Sequence, residues 1–355
     1  MFDDLSGPPP GLVKRRVTVR QIAEKAQLSV ATVDRVINGR TTVRRASALR
    51  VQSAAQALGY QFSVPMKVRL DPAPQATKCA FLLQKKSSFF YQRIVEELDE
   101  TVRRDPTLEV ELTVELMDDY LEPAAVSKKL RNIGSQVDAV AVVAIESSAV
   151  SDAIESLAEH QTPVVALLSD ISSPSLAGYV GINNRMAGRT AAWAIARCAK
   201  RSGTVGVLIG SHGYIGQEER EIGFRSYFRE KGLEFKVLEP LVCLDENENA
   251  YKQTLELLKA TDELVGIYNV GGGASGVLHA IEETRLSRKL AYACHELTPT
   301  TRSGLSAGTI DVVLAHDVPE LARSALNMLV DLKSAPTGRK QSSIVPFEIY
   351  TSENI

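Results

Sequence analysis

The chain has 355 residues, enough for two or three domains that each bury a core of their own. Its 41 lysines and arginines nearly balance 43 aspartates and glutamates, with 44% hydrophobic and 24% charged residues. Disordered, collagenous and fibrous chains are thereby excluded. The longest uninterrupted apolar run, Ala139 to Ile145, falls far short of the roughly 18 to 20 residues that cross a bilayer, so no membrane span is expected.

The chain opens MFDDLSGPPPG, without the basic and apolar regions of a secretory signal, and a cytoplasmic location is expected, with residues 1–16 as a disordered tail. Cys79, Cys198, Cys243 and Cys294 are far apart and form no C-x-x-C pair, which argues against a zinc ribbon or disulfide framework and predicts four core thiols. Charge divides the chain. From Lys14 to Arg69 twelve basic residues face only Glu24 and Asp34, a balance of +10, and the remainder carries −12. A small basic domain on an acidic body is the footprint expected when one part binds phosphates.

Thr18 followed three residues later by Gln21 is a capping-box pattern that starts a helix, with Ile22, Ala23 and Ala26 on its apolar face. Ser29 is a second N-cap candidate and begins SVATVDRVIN, where Val33, Val36 and Ile37 form a buried stripe and Val30, Ala31, Asp34 and Arg35 face outward. A third helix is predicted from about Arg45 to Leu58, with Leu49, Val51, Ala54, Ala55 and Leu58 inward and Gly59 as its stop. The pattern is a helix-turn-helix closed by a third helix.

These residues, VTVRQIAEKAQLSVATVDRVINGR followed by LRVQSAAQALGY, resemble the DNA-binding domain of the lactose-repressor (LacI/GalR) family over residues 17–60. The resemblance implies that the second helix enters the major groove of operator DNA, where Val30, Ala31 and Arg35 face bases. Arg35 suits a guanine, and the two small apolar side chains suit a thymine methyl. Thr18, Ser29, Thr32, Asn38 and Ser47 match positions that contact phosphates or the DNA backbone. Gln21, Gln27, Asp34 and Arg44 depart from the family pattern. Asp34 accepts from a cytosine amino group, pairs with Arg35 or Arg20, or opposes DNA binding. The helix-turn-helix domain is placed at 17–61 and a hinge at 62–76. In the family that hinge is a short helix whose Leu wedges into the minor groove. Here Pro65, Met66 and Leu70 break the register, and an ordinary linker is the alternative.

From Lys78 apolar strands alternate with helical patterns, CAFLLQ through PVVALL and then TVGVLIG through LAYACHE, which predicts two doubly wound parallel-sheet subdomains with a ligand crevice at the strands' carboxyl ends. YVGINNRMAGRTAA at 179–192, REIGF at 220–224, YNVGGGASG at 268–276 and LAHDVPELARSA at 314–325 resemble the same family's effector domain, which is built like periplasmic sugar-binding proteins. The expected architecture is an α helix-turn-helix domain plus a periplasmic-binding-protein-like α/β domain at 77–355. Its subdomain N is set at about 77–179 and 317–340, and its subdomain C at about 180–316 and 341–355.

The resemblance implies that Arg220 holds a ligand hydroxyl or carboxylate, with Asn269, His295, Glu296 and His316 on the same side of the cleft. Ser88, Phe89, Phe90, Glu146 and Asp170 are the candidates on the first subdomain. A planar polar set with an aromatic cover suits a carbohydrate. His160, His212 and His279 are read as structural, Gly271–Gly273 as a tight turn rather than a nucleotide cradle, and the adjacent His295 and Glu296 as no metal motif. No cofactor and no catalysis are expected. The reading is a DNA-binding regulator, a homodimer on a pseudo-palindromic operator, controlled by a sugar-like effector. A plain solute-binding protein and a sugar-acting enzyme are the alternatives.

Overall fold

The computed structural model describes residues 17–26, 28–38, 45–58, 60, 76–284, 289–334 and 339–355. The tail to residue 16, Gln27, Arg44 and the hinge segment 61–75, including Pro65, Met66 and Leu70, lie outside the described residues. The chain forms two compact units, the first at the N-terminal end and the second beginning at Thr77.

In the first unit α1 spans Val19–Ala26, α2 Val30–Asn38 and α3 Arg45–Ala57. The predicted capping box starts α1: Gln21 N donates to Thr18 Oγ1 at 3.3 Å and Thr18 N donates to Gln21 Oε1 at 2.9 Å. Ser29 caps α2 by accepting from Thr32 N at 3.1 Å. Ile22, Val33, Val36, Val51 and Ala55 are completely buried in one core, with Leu58 half-buried at its edge. Full burial of an Ile or Val is worth about 1.5–3 kcal/mol, and these few side chains close the small domain.

The second unit alternates strands and helices: β1 (Thr77–Gln84), α4 (Phe89–Arg104), β2 (Val110–Met117), α5 (Pro123–Gly134), β3 (Ala139–Val142), α6 (Ser148–Glu159), β4 (Val164–Leu167) and β5 (Gly178–Gly181). There follow α7 (Asn184–Cys198), β6 (Thr204–Ile209), α8 (Ile215–Lys231), β7 (Lys236–Val237), β8 (Leu241–Val242), α9 (Asn247–Ala260), β9 (Leu264–Asn269) and α10 (Ala274–Thr284). The chain ends with β10 (Ala291–His295), α11 (Pro299–Ser306), β11 (Val312–His316), α12 (Val318–Ser334), β12 (Gln341–Ile344) and β13 (Phe347–Tyr350). Central strands such as β3, β4, β6 and β9 are buried along their whole length, as a parallel sheet covered on both faces requires.

Two sheets result. The first has the order β12-β5-β4-β3-β1-β2 and is wholly parallel. The second has the order β13-β11-β10-β9-β6-β7, with β8 also beside β6 and β13 antiparallel on the edge. The chain therefore passes between the lobes after β5, after β11 and after β12. The sequence boundary at 340/341 is corrected: residues 341–344 were expected in subdomain C, but β12 pairs with β5 in the first sheet, and the last crossing falls at 345–346. Residues 180 and 181 likewise complete β5 in the first lobe. Cys79, Cys243 and Cys294 are buried as expected, and Cys198, at the end of α7, is exposed instead.

Candidate functional site

A cleft of about 460 Å³ lies between the two lobes of the second unit, within the usual size of a small-ligand pocket. Its wall is built from the carboxyl ends of strands, the crevice position expected of doubly wound sheets. Lys85 after β1, Leu168 after β4, Asp245 after β8 and Glu296 after β10 all face it, and all four adopt the left-handed backbone region, at φ 44, 66, 53 and 68°. Such conformations are rare for residues with a side chain and concentrate at functional sites, where the surrounding structure must hold them.

Arg220 forms the floor. Gly188 and Gly223 let α7 and α8 touch: a Cβ at Gly188 would stand 1.8 Å from Arg220 O, and one at Gly223 2.1 Å from Arg185 O. The close approach sets Arg220 Nε on Asn184 Oδ1 at 2.8 Å and Nη1 on Val270 O at 2.9 Å. Arg220 is only 7% exposed, and its Nη2 donates to no group among the described residues, so part of the guanidinium fork is left over at the cavity. Phe224 stacks on Tyr268 at 4.6 Å, and the Tyr268 hydroxyl meets His295 Nε2 at 2.8 Å. The R-x-x-G-F motif thus carries the cavity arginine, the helix contact and the support of a histidine.

His295 is 3% exposed, and burial, with Arg220 and His316 adding to it, holds its ring well below the ordinary 6.5. His316 Nδ1 lies 2.6 Å from Glu296 Oε1, which orients the ring as a donor to the carboxylate, beneath Phe90 at a ring separation of 5.6 Å. His295 Nδ1 and His316 Nε2 are buried and have no partner among the described residues. Burial raises the Asp245 carboxyl above its usual range, and Gly272 N, at 2.6 Å, and the Gln217 side chain, at 3.0 Å, oppose that rise.

The lobes meet across the cavity. Gln84 Nε2 donates to Tyr214 Oη at 2.7 Å, Lys85 Nζ to Asp245 O at 2.8 Å, and Tyr120 Oη to Leu244 O at 3.3 Å. Toward the crossing strands Gly216 N donates to Ser169 Oγ at 3.0 Å. The lobes are closed on each other.

Of the residues singled out in the sequence, Ser88, Phe89, Phe90, Arg220, His295, Glu296 and His316 line this one cavity. Three do not reach its wall. Glu146 accepts from Ser172 N at 2.9 Å, Asp170 pairs with Lys340 Nζ at 2.6 Å, and Asn269, completely buried, fixes the Gly272 carbonyl at 3.0 Å. Sequence reasoning missed Lys85, Tyr91, Gln217 and Asp245, which carry no motif. The glycines next to Asp245 were the available signal, since a Cβ at Gly210 or Gly271 would strike its carboxylate. On the helix-turn-helix, Val30, Ala31 and Arg35 are exposed on one side of α2, with Thr32 and Ser47 half-buried. Asn38 Nδ2 donates to Asp34 Oδ1 at 2.7 Å, so Asp34 has a partner that the sequence reading did not consider.

A two-lobed binding fold with a cleft at its crossing strands, joined to a helix-turn-helix, defines a regulator of the ligand-sensing type. Residues 80–337 match the family model of the periplasmic binding protein domain, and residues 18–63 that of bacterial regulatory proteins, lacI family. The chain belongs to the periplasmic binding protein domain family and carries a lacI-family DNA-binding domain at its N-terminal end. Both are regulator or binding types. No curated protein matches the sequence. Among solved structures, a solute-binding protein of Actinobacillus succinogenes with bound D-allose shares 19% identity at a TM-score of 0.68, over 78% of this chain and 98% of that one. One from Agrobacterium radiobacter, in complex with D-arabinose, shares 17% at 0.71, over 79% and 96%. A glucose-galactose binding protein from Geobacillus stearothermophilus shares 19% at 0.69, over 78% and 99%. These likenesses establish the fold. Among the described residues no helix is long and apolar enough to cross a membrane.

Proposed function

We propose that this DNA-binding regulator is a homodimer, and that a small carbohydrate-like effector in the cleft sets its operator affinity without being turned over. The observation that carries the reading is Arg220: a buried guanidinium fixed by Asn184 and Val270, with donors left over, on the floor of a cavity covered by Phe90. Hydroxyl-rich ligands are held by planar polar groups with an aromatic cover, and this wall supplies both. The allose, arabinose and glucose-galactose proteins of the same fold support a sugar as the starting guess. On α2 the exposed Arg35 is the residue best suited to bidentate base contact, with Val30 and Ala31 beside it. Thr18, Ser29, Thr32, Asn38 and Ser47 serve the DNA backbone in this reading.

The test separates the two ends of the molecule. Arg35→Ala should weaken binding to DNA selected from a random pool by about tenfold or more while ligand binding is kept. Arg220→Ala should abolish ligand binding and keep the DNA affinity of the ligand-free protein. A ligand that binds equally well without Arg220, or DNA selection that survives without Arg35, contradicts the assignment.

A further inference from the structure

Asp34 stands where an acid is least expected. Between Lys14 and Arg69 the chain has only two acidic residues, and the other, Glu24, is on α1, where Arg20 lies 3.8 Å from its carboxylate. Asp34 is in the middle of α2 and is the only acid of that helix. At about 3.6 residues to the turn it falls between Val30 and Ala31 around the helix, with Arg35 just beyond Ala31 and with Val33 and Val36 turned into the core on the opposite side. The outward face of α2, formed by the exposed Val30, Ala31 and Arg35, therefore has a carboxylate at its centre.

The direction of that carboxylate is set. Asn38, one turn further along the same face, donates from Nδ2 to Asp34 Oδ1 at 2.7 Å. A carboxylate has about four lone-pair sites, so this bond orients the group without exhausting it. A side chain already held in one geometry loses less entropy when it binds. Neither phosphate nor deoxyribose in duplex DNA can donate to a carboxylate, and a phosphate beside it repels it. The donors of the major groove lie on base edges, at adenine N6 and cytosine N4. Adenine sets the acceptor N7 beside its amino group, guanine shows two acceptors, and thymine shows an acceptor and a methyl. Cytosine offers a donor with no acceptor next to it.

We propose that Asp34, positioned by Asn38, is a specificity-determining residue of α2 that accepts from the N4 amino group of a cytosine. This rests on the reading of α2 as the groove helix and adds to it one operator base, a C·G pair selected by the carboxylate and not by Arg35 alone. The Asn38 bond is what separates this use of Asp34 from a loose surface charge that merely opposes the DNA.

The experiment is selection of DNA from a random pool by the ligand-free full chain, followed by fluorescence anisotropy with the parent, Asp34→Ala and Asn38→Ala. Each C·G pair of the selected half-site is exchanged in turn for T·A, and the loss of affinity at each exchange is compared between proteins, so that contacts made by Arg35 cancel. Losses are compared and not affinities, because removing a negative charge strengthens binding to every sequence alike. At one pair the parent should lose about tenfold or more, and Asp34→Ala should lose at least about fivefold less. Asn38→Ala should narrow the loss at that same pair, which a residue that only contacts phosphate would leave unchanged. Circular dichroism of the variants checks that the helices are intact. Equal losses in parent and Asp34→Ala at every C·G pair overturn the proposal, as does a selected half-site without a C·G pair, and both leave the groove reading standing where Arg35→Ala still abolishes selection. A parent that selects no sequence contradicts the groove reading and the proposal with it.

Discussion

Asp245 and His295 show how single residues are set against their own preferences. Leu244 and Asp245 are consecutive left-handed residues, at φ 55 and 53°, a conformation that costs about 1 kcal/mol or more at each position and is held here by the Lys85 and Tyr120 contacts to their carbonyls. His295 is neutral in the fold because burial, Arg220 and His316 depress it, so below its ordinary 6.5 only the unfolded chain takes the proton. Stability present above that pH is therefore lost as the pH falls toward the folded value, at about 1.4 kcal/mol for each unit. The effector domain should melt lower at pH 5.0 than at pH 7.5, and His295→Gln should flatten that difference. Asp245, raised by burial, works in the opposite sense, so the difference between variant and parent is the quantity to read. An identical pH dependence in both proteins contradicts a neutral His295. Arg220 and the two cleft histidines were legible in the sequence because they stand in recognisable segments. Asp245 and Lys85 were not: each lies in a polar loop, and it is the backbone turn rather than any spacing that aims it at the cavity.

Among the elements, α7 and α8 carry the most consequence for the site. Their glycines permit backbone contact, and that contact fixes the height of Arg220 beneath the cleft. Gly223→Ala places a methyl 2.1 Å from Arg185 O, and the helices must part to admit it. The expected cost is about 1–3 kcal/mol in stability, accompanied by weaker ligand binding as Arg220 shifts. Thermal melting and titration of the variant check both effects, and loss of neither would place the α7–α8 contact outside the site's support. Helix starts were well marked in the sequence: the Thr18–Gln21 box and the Ser29 cap are both present in the structure. Strand membership was less so. QSSI is short and polar, and nothing local in it tells that it pairs with GYVG, more than a hundred residues earlier, rather than joining the lobe that follows.

At the scale of the whole molecule, the split of charge at the hinge announced a phosphate-binding head on an acidic body, and the repeated strand–helix pattern announced two lobes. What the pattern could not show is how the lobes meet, because the Gln84–Tyr214 and Lys85–Asp245 contacts join positions 130 and 160 residues apart. In the function proposed above, those contacts are where an effector would act. A ligand that bridges the walls favours closure, and it alters DNA affinity only insofar as the closed and open forms differ in that affinity. The decisive measurement is the affinity of the full chain for DNA selected from a random pool, read by fluorescence anisotropy with and without the ligand found by titration. The account predicts a change of about fivefold or more in DNA affinity, a change of equal factor in ligand affinity when DNA is present, and loss of both in Arg220→Ala. A ligand that saturates the cleft while DNA affinity stays the same would contradict control of the helix-turn-helix by the cleft.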